Sequence, residues 1–391
     1  MYQGKYLFAQ IIEFLSPYQF QKYVKKHEGN KKVTKLSCWE QFLCICFGQL
    51  ARKESLRGII VSLNAHRNKL YHLGFNSITI SKSTLADANE NRSWKIYHDF
   101  AQVLIKTAED LYKNDINHKY QINEPIFAID STSINVCLNI FKWAKYKKKK
   151  GAVRVHTQIN LQGNIPTFIV ITSGKVHDVH ILDEINFITG AFYLMDRAYV
   201  DFTRLYEIHS HLSFFITRAK SNIKYRRIKS KTVDKTTGIK SDQIIKLTGI
   251  KTKHKYPEQL RRICLYDQIK KKHYIFLTNN FTLDAKLITD LYRLRWNIEI
   301  FFKWIKQNLK IKKFYGRSEN AVKTQIWIAT CTYLLIAIIK KKLNVKLKLS
   351  EILHIINDSL FDKTPLKQLL SGDDYQELEP NFVKQLKLRD F

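Results

Sequence analysis

The chain has 391 residues, 45% of them apolar, and its 66 Lys and Arg against 34 Asp and Glu leave a formal charge of +32. More than one domain is expected at that length, and a folded chain tolerates that charge best beside a polyanion, nucleic acid first and a membrane surface second. The longest strongly apolar run, residues 326 to 339 with two threonines inside it, falls short of the about 20 residues a membrane span needs, so it is read as a buried helix and no membrane partner is expected.

The N-terminus, MYQGKYLFAQIIEF, has no long apolar stretch and no small-residue cleavage site, so a cytoplasmic location, associated with the nucleoid, is expected. Residues 1 to 120 set apolar clusters at helical spacing, Trp39, Phe42, Leu43 and Phe47, then Ile96, Phe100, Val103 and Leu104, and read as an all-helical region. Residues 1 to 75 carry 12 Lys and Arg against four Glu and no Asp, which suits either a DNA-gripping module or a solvated basic bundle used for dimer contacts. In SKSTLADAN, Thr84 stands three residues before Asp87, the spacing of a capping box that starts a helix. The cysteines, Cys38, Cys44, Cys46, Cys137, Cys264 and Cys331, lack the paired spacing of a zinc site and are expected to be buried reduced thiols.

From Pro125 the period becomes alternating. IFAIDSTSI, VRVHTQINL and PTFIVITS read as three strands in two hairpins, followed by a helical stretch over 177 to 186, a strand in AFYLMDRAY, a helix over 201 to 211 and a strand in SFFITRA. That order, βββαβαβ, implies an α/β fold on a mixed sheet whose later strands are reached through helices. Residues 221 to 281 interrupt it with 16 Lys and Arg against four acids and strand-like runs in RRICLYDQI and HYIFLTN, a basic β-rich insertion. A long helix over 282 to 310 and an apolar helix over 321 to 342 follow, and the tail beyond Ser350 carries no signal.

Asp130 lies in the first strand run, Asp196 at the end of the fourth, and Glu299 in the long helix. If the first and fourth strands are neighbours, the aspartates lie side by side and a helix crossing that face brings the glutamate to them. Converging carboxylates repel unless a cation lies between them. In YRLRWNIEIFFKWIK, Tyr292, Arg295, Glu299 and Lys306 follow steps of three, four and seven, which keep one helix face. That face sets donors for phosphate oxygens around a carboxylate; the plain alternative is a salt-bridged helix surface. Lys145, Lys147, Lys148, Lys149 and Lys150, beside Trp143, form a run able to track phosphates, or a solvated loop. His156 on the second strand reads as a DNA contact, a neighbour of the carboxylates, or a structural histidine.

On these motifs, with SKSTLADANENRSW, AIDSTSI, KKKGAVRVHTQ and YLMDRAY, the chain resembles the DDE transposases of bacterial insertion sequences, insertion-sequence family four, which carry a Tyr, Arg, Glu and Lys helix signature. The resemblance spans nearly the whole chain. It implies a ribonuclease-H-like catalytic core, residues 121 to 220 and 282 to 345, interrupted by the insertion at 221 to 281. A helical DNA-binding or dimerisation region, 1 to 120, precedes it and a tail, 346 to 391, follows. It implies Asp130, Asp196 and Glu299 as a catalytic triad for two Mg2+ ions, with Mn2+ as a substitute, and DNA contacts at Tyr292, Arg295, Lys306, Arg197, Lys147, Lys148, Lys149 and Lys150. Double-stranded DNA, as transposon ends and target, is the implied partner, bound by a homodimer in a synaptic complex.

Arg197 and Tyr199 match the family's Asp-Arg-Gly-Tyr phrase, but Ala198 stands in place of its Gly, which questions any turn needing positive φ. Some relatives stack a flipped base on a tryptophan of the insertion; residues 221 to 281 hold none, leaving Tyr225, Tyr256 or Tyr266 as substitutes. Two rival functions keep the same fold: a nuclease without strand transfer, and a DNA-binding regulator that cuts nothing.

Overall fold

Serines stand where the N-terminal helices must start. In this computed structural model, which describes residues 4–76, 79–113, 115, 122–147, 150–309, 311 and 313–371, the first six helices are α1 (Leu7–Ile12), α2 (Pro17–Lys26), α3 (Cys38–Leu50), α4 (Leu56–Ala65), α5 (Lys82–Asn91) and α6 (Lys95–Tyr112). Ser16, Ser37, Ser55 and Ser81 accept from amides in the first turns of α2, α3, α4 and α5, each cap worth about 1 kcal/mol. Ser37 and Glu40 complete a reciprocal capping box. The SKSTLADAN helix is therefore capped by Ser81, not Thr84: Thr84 lies one turn inside and its amide is the donor that Ser81 satisfies at 3.2 Å.

The strands are β1 (Ile126–Val136), β2 (Lys145–Lys147), β3 (Lys150–Asn160), β4 (Ile165–Ser173), β5 (Phe192–Met195), β6 (Phe214–Arg218), β7 (Tyr225–Lys231), β8 (Ile239–Leu247), β9 (Gln259–Asp267) and β10 (Lys272–Thr278). They form one mixed sheet in the order β2-β3-β1-β5-β6-β10-β9-β8-β7, with β4 also on β3. β1 runs antiparallel to β3 and parallel to β5, and β5 parallel to β6. The basic segment after residue 220 folds as four strands that extend this same sheet, because β10 pairs antiparallel with β6. Its outermost strand, β7, exposes Arg226, Arg227 and Lys229, charges that keep an edge from pairing with other chains. Arg261, 2% exposed, clamps the segment: its guanidinium donates to both carboxylate oxygens of Asp242, at 2.9 and 2.7 Å, and to the Leu283 carbonyl.

The remaining helices are α7 (Phe202–Ser210), α8 (Ala285–Arg293), α9 (Trp296–Asn308), α10 (Glu319–Lys342), α11 (Leu349–Ser359) and α12 (Leu366–Ser371). The helical stretch expected at 177 to 186 is a 3-10 segment, Asp178–Glu184. The expected long helix is two helices, because the amides of Leu294 and Arg295 bond carbonyls three residues back, at 2.9 and 3.1 Å, the tighter winding of a 3-10 turn. α10 is long and apolar enough to cross a membrane, yet 94% of its apolar window is buried inside the fold. Around it one apolar core joins α1 to α6, α9, α11 and α12 to Ala128, Ile134, Val153 and Val155 of the sheet, so the helical region has no separate core. Residues beyond 345 are tied to the N-terminus as well, with Gln10 bridging the Thr364 carbonyl and the Leu366 amide. Alternation along β1 sends Ala128 to that core and Phe127 and Ile129 to a second one with Ile181, Leu182, Tyr199 and Leu205.

Cys38, Cys44, Cys46 and Cys331 are buried free thiols as expected, and burial pushes all four up. Cys137, just past the end of β1, is exposed and Cys264 on β9 is half-buried, so the expected burial does not hold for these two.

Candidate active site

Parallel pairing of β1 with β5 ends at Ile129 opposite Met195, so the next residues, Asp130 and Asp196, come just past the last pair at one level: Asp130 inside β1, which runs on to Val136 beside β3, and Asp196 beyond the end of β5. Asp130 accepts from the Ser131 amide at 2.8 Å. Asp196 accepts from the Ala198 amide at 2.7 Å, which caps the 3-10 turn Arg197–Tyr199, and its carbonyl receives the Thr217 hydroxyl at 3.0 Å from β6. Ala198 is not among the residues with positive φ, so the turn forms without the glycine.

α9 packs along the middle of β1 because Ile298, Phe301, Phe302 and Ile305 are buried in the core, which turns Glu299 toward Asp130. Arg295 lies between the two acids: its guanidinium donates to Asp130 Oδ2 at 3.0 Å and to Glu299 Oε1 at 2.5 Å. A cavity of about 440 Å³ beside them is lined by Asp130, Ser131, Thr132, Glu299, Phe302, Lys303, Lys306 and Gln307. Burial pushes the Asp130 carboxyl up to about 6; the Ser131 amide and Arg295 pull it down, and the charges of Asp196 and Glu299 push it up further.

All the donors are carboxylate oxygens, the set a hard divalent cation takes. As placed, no three His, Cys, Asp or Glu side chains among the described residues stand close enough to share a metal. Arg295 already satisfies Asp130 and Glu299, so a cation bridging them needs the guanidinium to move aside.

The rest of the helix signature divides. Tyr292 packs on Phe276 at 5.0 Å between ring centroids, and burial holds its hydroxyl above its ordinary value. The 3-10 turn swings it to the β10 side. Lys306 reaches back to β1, donating to the Ser133 carbonyl at 3.0 Å. Arg197 is exposed beside Asp196. Lys147 and Lys150 are exposed and paired with each other where β2 turns into β3, next to Gly151, which pairs with Val136 six residues along β1 from Asp130, and so roughly 20 Å away. Lys148 and Lys149 lie outside the described residues. Tyr256 is fully buried and bonded to His209 at 2.7 Å, which removes it as a stacking surface.

His156 faces the opposite side of the sheet from Asp130, paired with Ser131. It is fully buried, bonds Thr172 Oγ1 at 3.0 Å, and burial drops it to about 4, so it is neutral at pH 7. Beside it are three groups that the sequence did not single out: Ser131, Arg154 and Asp178, with Ser131 Oγ donating to Asp178 at 2.5 Å. Asp178 opens a 3-10 segment far from both aspartates in sequence, and no local pattern marks it.

The raised Asp130 has a consequence for stability. Its folded value lies above its unfolded one, so the native state holds the proton more tightly, and stability is lost as pH rises from about 4 to about 6. Asp130→Asn removes that loss. The variant should gain up to about 3 kcal/mol relative to wild type between pH 4 and pH 7, at about 1.4 kcal/mol per unit. Denaturant unfolding with chelator present checks it, and a difference that does not change with pH rules the effect out.

The transposase DDE domain family model matches residues 122–335, and a second model, described as a domain of unknown function, matches residues 3–76. An insertion-sequence transposase of Geobacillus stearothermophilus is 29% identical over 230 residues, 57% of this chain and 60% of that one, so the chain spans less than two thirds of that relative. A Sinorhizobium fredii transposase is 30% identical over 284 residues, and an insertion-sequence transposase of Synechocystis 24% identical over 289, each covering 71% of this chain and 77% of the relative. A cryo-EM structure of a piggyBac transposase synaptic complex with hairpin DNA aligns with a TM-score of 0.48 and 10% identity over 96% of this chain and 84% of that one, too loose a likeness to carry the fold.

Proposed function

The chain belongs to the transposase DDE domain family, and from that premise we propose that it is the transposase of an insertion sequence, binding the element's terminal inverted repeats, cleaving there and joining the ends to target DNA. The observation that carries this reading is that Asp130 and Asp196 follow the last pair of two adjacent parallel strands, with Glu299 tied to Asp130 through the Arg295 guanidinium. A mixed sheet with two central parallel strands and a helix delivering the third acid is what a ribonuclease-H-like core requires. The Tyr292, Arg295, Glu299 and Lys306 spacing supports placement in insertion-sequence family four. The domain reading follows: catalytic core at 121 to 220 and 282 to 345, insertion at 221 to 281, and a helical DNA-binding or dimerisation region at 1 to 120. A cytoplasmic, nucleoid-associated homodimer holding two ends is part of the same proposal.

Bound at these carboxylates, two Mg2+ ions would supply the charge that activates a water or DNA 3′ hydroxyl and steadies the departing oxygen in an in-line displacement. The chain's own work is to hold Asp130 and Asp196 side by side and to release Arg295 from Glu299 toward an arriving phosphate, where its planar fork matches the oxygens. Lys306 steadies β1 through the Ser133 carbonyl, and exposed Arg197 contributes charge beside Asp196. Lys147 to Lys150 meet the duplex farther out.

The test takes the inverted repeats flanking the gene as substrate. With Mg2+, cleavage at the repeat ends and strand-transfer products are expected; with Ca2+ alone, end binding without turnover is expected, because its loose oxygen geometry does not position the reacting groups. Cleavage without strand transfer would make the protein a nuclease, and binding without cleavage a regulator. Brisk turnover in Ca2+ would contradict the metal reading.

A further inference from the structure

The face of β1 turned away from Glu299 carries a second polar cluster. Ser131 Oγ donates to Asp178 Oδ1 at 2.5 Å, and the Ser131 amide donates to Asp130 Oδ1 at 2.8 Å, so one residue bonds both carboxylates through two groups. Arg154 on β3 approaches Asp178 Oδ1 at 3.3 Å and donates to the Val176 carbonyl at 2.8 Å with the same nitrogen, which clamps the segment leading into Asp178. His156 Nδ1 stands 3.5 Å from the same oxygen. As His156 is neutral, the cation that balances Asp178 is Arg154. Tyr199, 1% exposed, has a hydroxyl with no hydrogen-bond partner, and it feels the charges of Asp130, Asp178 and Asp196 together. Buried polar groups linked in this way polarise and fix one another.

We propose that Asp178 is a fourth carboxylate of the centre, a positioning residue that sets the Asp130 carboxylate for the cation through Ser131. Strand β1 ends its pairing with β5 one residue before Asp130, so the ladder that aligns the aspartates stops just where alignment matters. Pairing with β3 runs on through Asp130 and Ser131, and the Asp178 bond to Ser131 adds a side-chain restraint at the point where β5 no longer pairs. A mere fold clip at this place would change stability but leave the cation affinity of the folded protein alone.

The inference rests on the proposed metal site, and Mn2+ binding to the DNA-free full-length protein, by isothermal titration, separates the two. Asp178→Ala and Ser131→Ala should each weaken Mn2+ binding about five- to tenfold, the scale of one lost hydrogen bond in a partly buried site. The double variant should be no weaker than either single one, since both break the same link. Asp178→Asn, which keeps an acceptor oxygen for Ser131, should restore most of the affinity. Unchanged affinity in Asp178→Ala, or additive losses in the double variant, overturns the proposal, provided Asp130→Asn loses Mn2+ binding. Should Asp130→Asn bind Mn2+ as wild type does, the metal site itself is wrong. If Asp178→Ala lowers the melting midpoint enough to unfold the protein, Ser131→Ala and Asp178→Asn decide the matter alone.

Discussion

Asp130→Asn, Asp196→Asn and Glu299→Gln should each abolish cleavage of terminal DNA while leaving the protein folded and able to bind that DNA. Each change swaps a carboxylate for an amide of nearly the same shape, so packing is preserved and one negative charge is lost. A loss of at least roughly a hundredfold to a thousandfold is the scale for removing one preorganised electrostatic group. The three are not equivalent in the fold. Asp130 is strained electrostatically, so its amide is expected to stabilise the protein at neutral pH, whereas Glu299→Gln takes a charged partner from Arg295. Asp196→Asn keeps an oxygen to cap the turn through the Ala198 amide. Gel-shift binding and cleavage assays on the same preparations test this, and persistent cleavage in any one variant removes that residue from the triad.

Arg295→Ala and Lys306→Ala should each cost about 1.5 to 3 kcal/mol in end binding or cleavage, the range for hydrogen bonds to charged groups, and so about ten- to a hundredfold in affinity or rate. The structure assigns them different routes to that loss. Arg295 is shared by Asp130 and Glu299, so its removal takes away the guanidinium that bonds both carboxylates. Arg295→Lys should rescue poorly, because a single ammonium cannot reproduce a planar fork with two acceptors. Lys306 is held beside the acids' cavity by a backbone carbonyl of β1 three residues past Asp130, so its loss should slow cleavage by loosening β1 and, since its ammonium also faces arriving phosphates there, flatten the salt dependence of binding. Titrating terminal DNA at several salt concentrations, with cleavage assayed in parallel, measures both. Folded variants that match wild type in affinity, salt slope and rate would make the helix stripe structural.

Much of the site was legible because its elements are marked locally. Alternation in IFAIDSTSI and AFYLMDRAY placed the two aspartates on strands, and the steps of three, four and seven placed Arg295, Glu299 and Lys306 on one helix. Those patterns depend only on side-chain period; the observed elements hold Asp130 in β1 and Glu299 and Lys306 in α9, while Asp196 falls just past β5 and Arg295 at the N-cap of α9. The same reasoning misplaced the cap of α5, since Thr84 and Ser81 are both good caps and only the chain's path selects one. It also ran α8 and α9 together, as a single 3-10 turn leaves the apolar period nearly intact.

By itself, the sequence determined the basic character, the order of strands and helices, and the three acids with their helix, because charge and period are properties of short stretches. Tertiary structure alone decided what those stretches meet. It joined the basic β-rich segment to the core sheet through β10 and β6, merged the N-terminal helices into the core around α10, and set Lys147 and Lys150 about 20 Å from Asp130. It set Arg295 between Asp130 and Glu299, and brought Asp178 under Ser131 from 47 residues away. Contacts of that kind depend on strand pairing and on which face of a sheet a side chain leaves, and neither is encoded in the spacing of residues along one element.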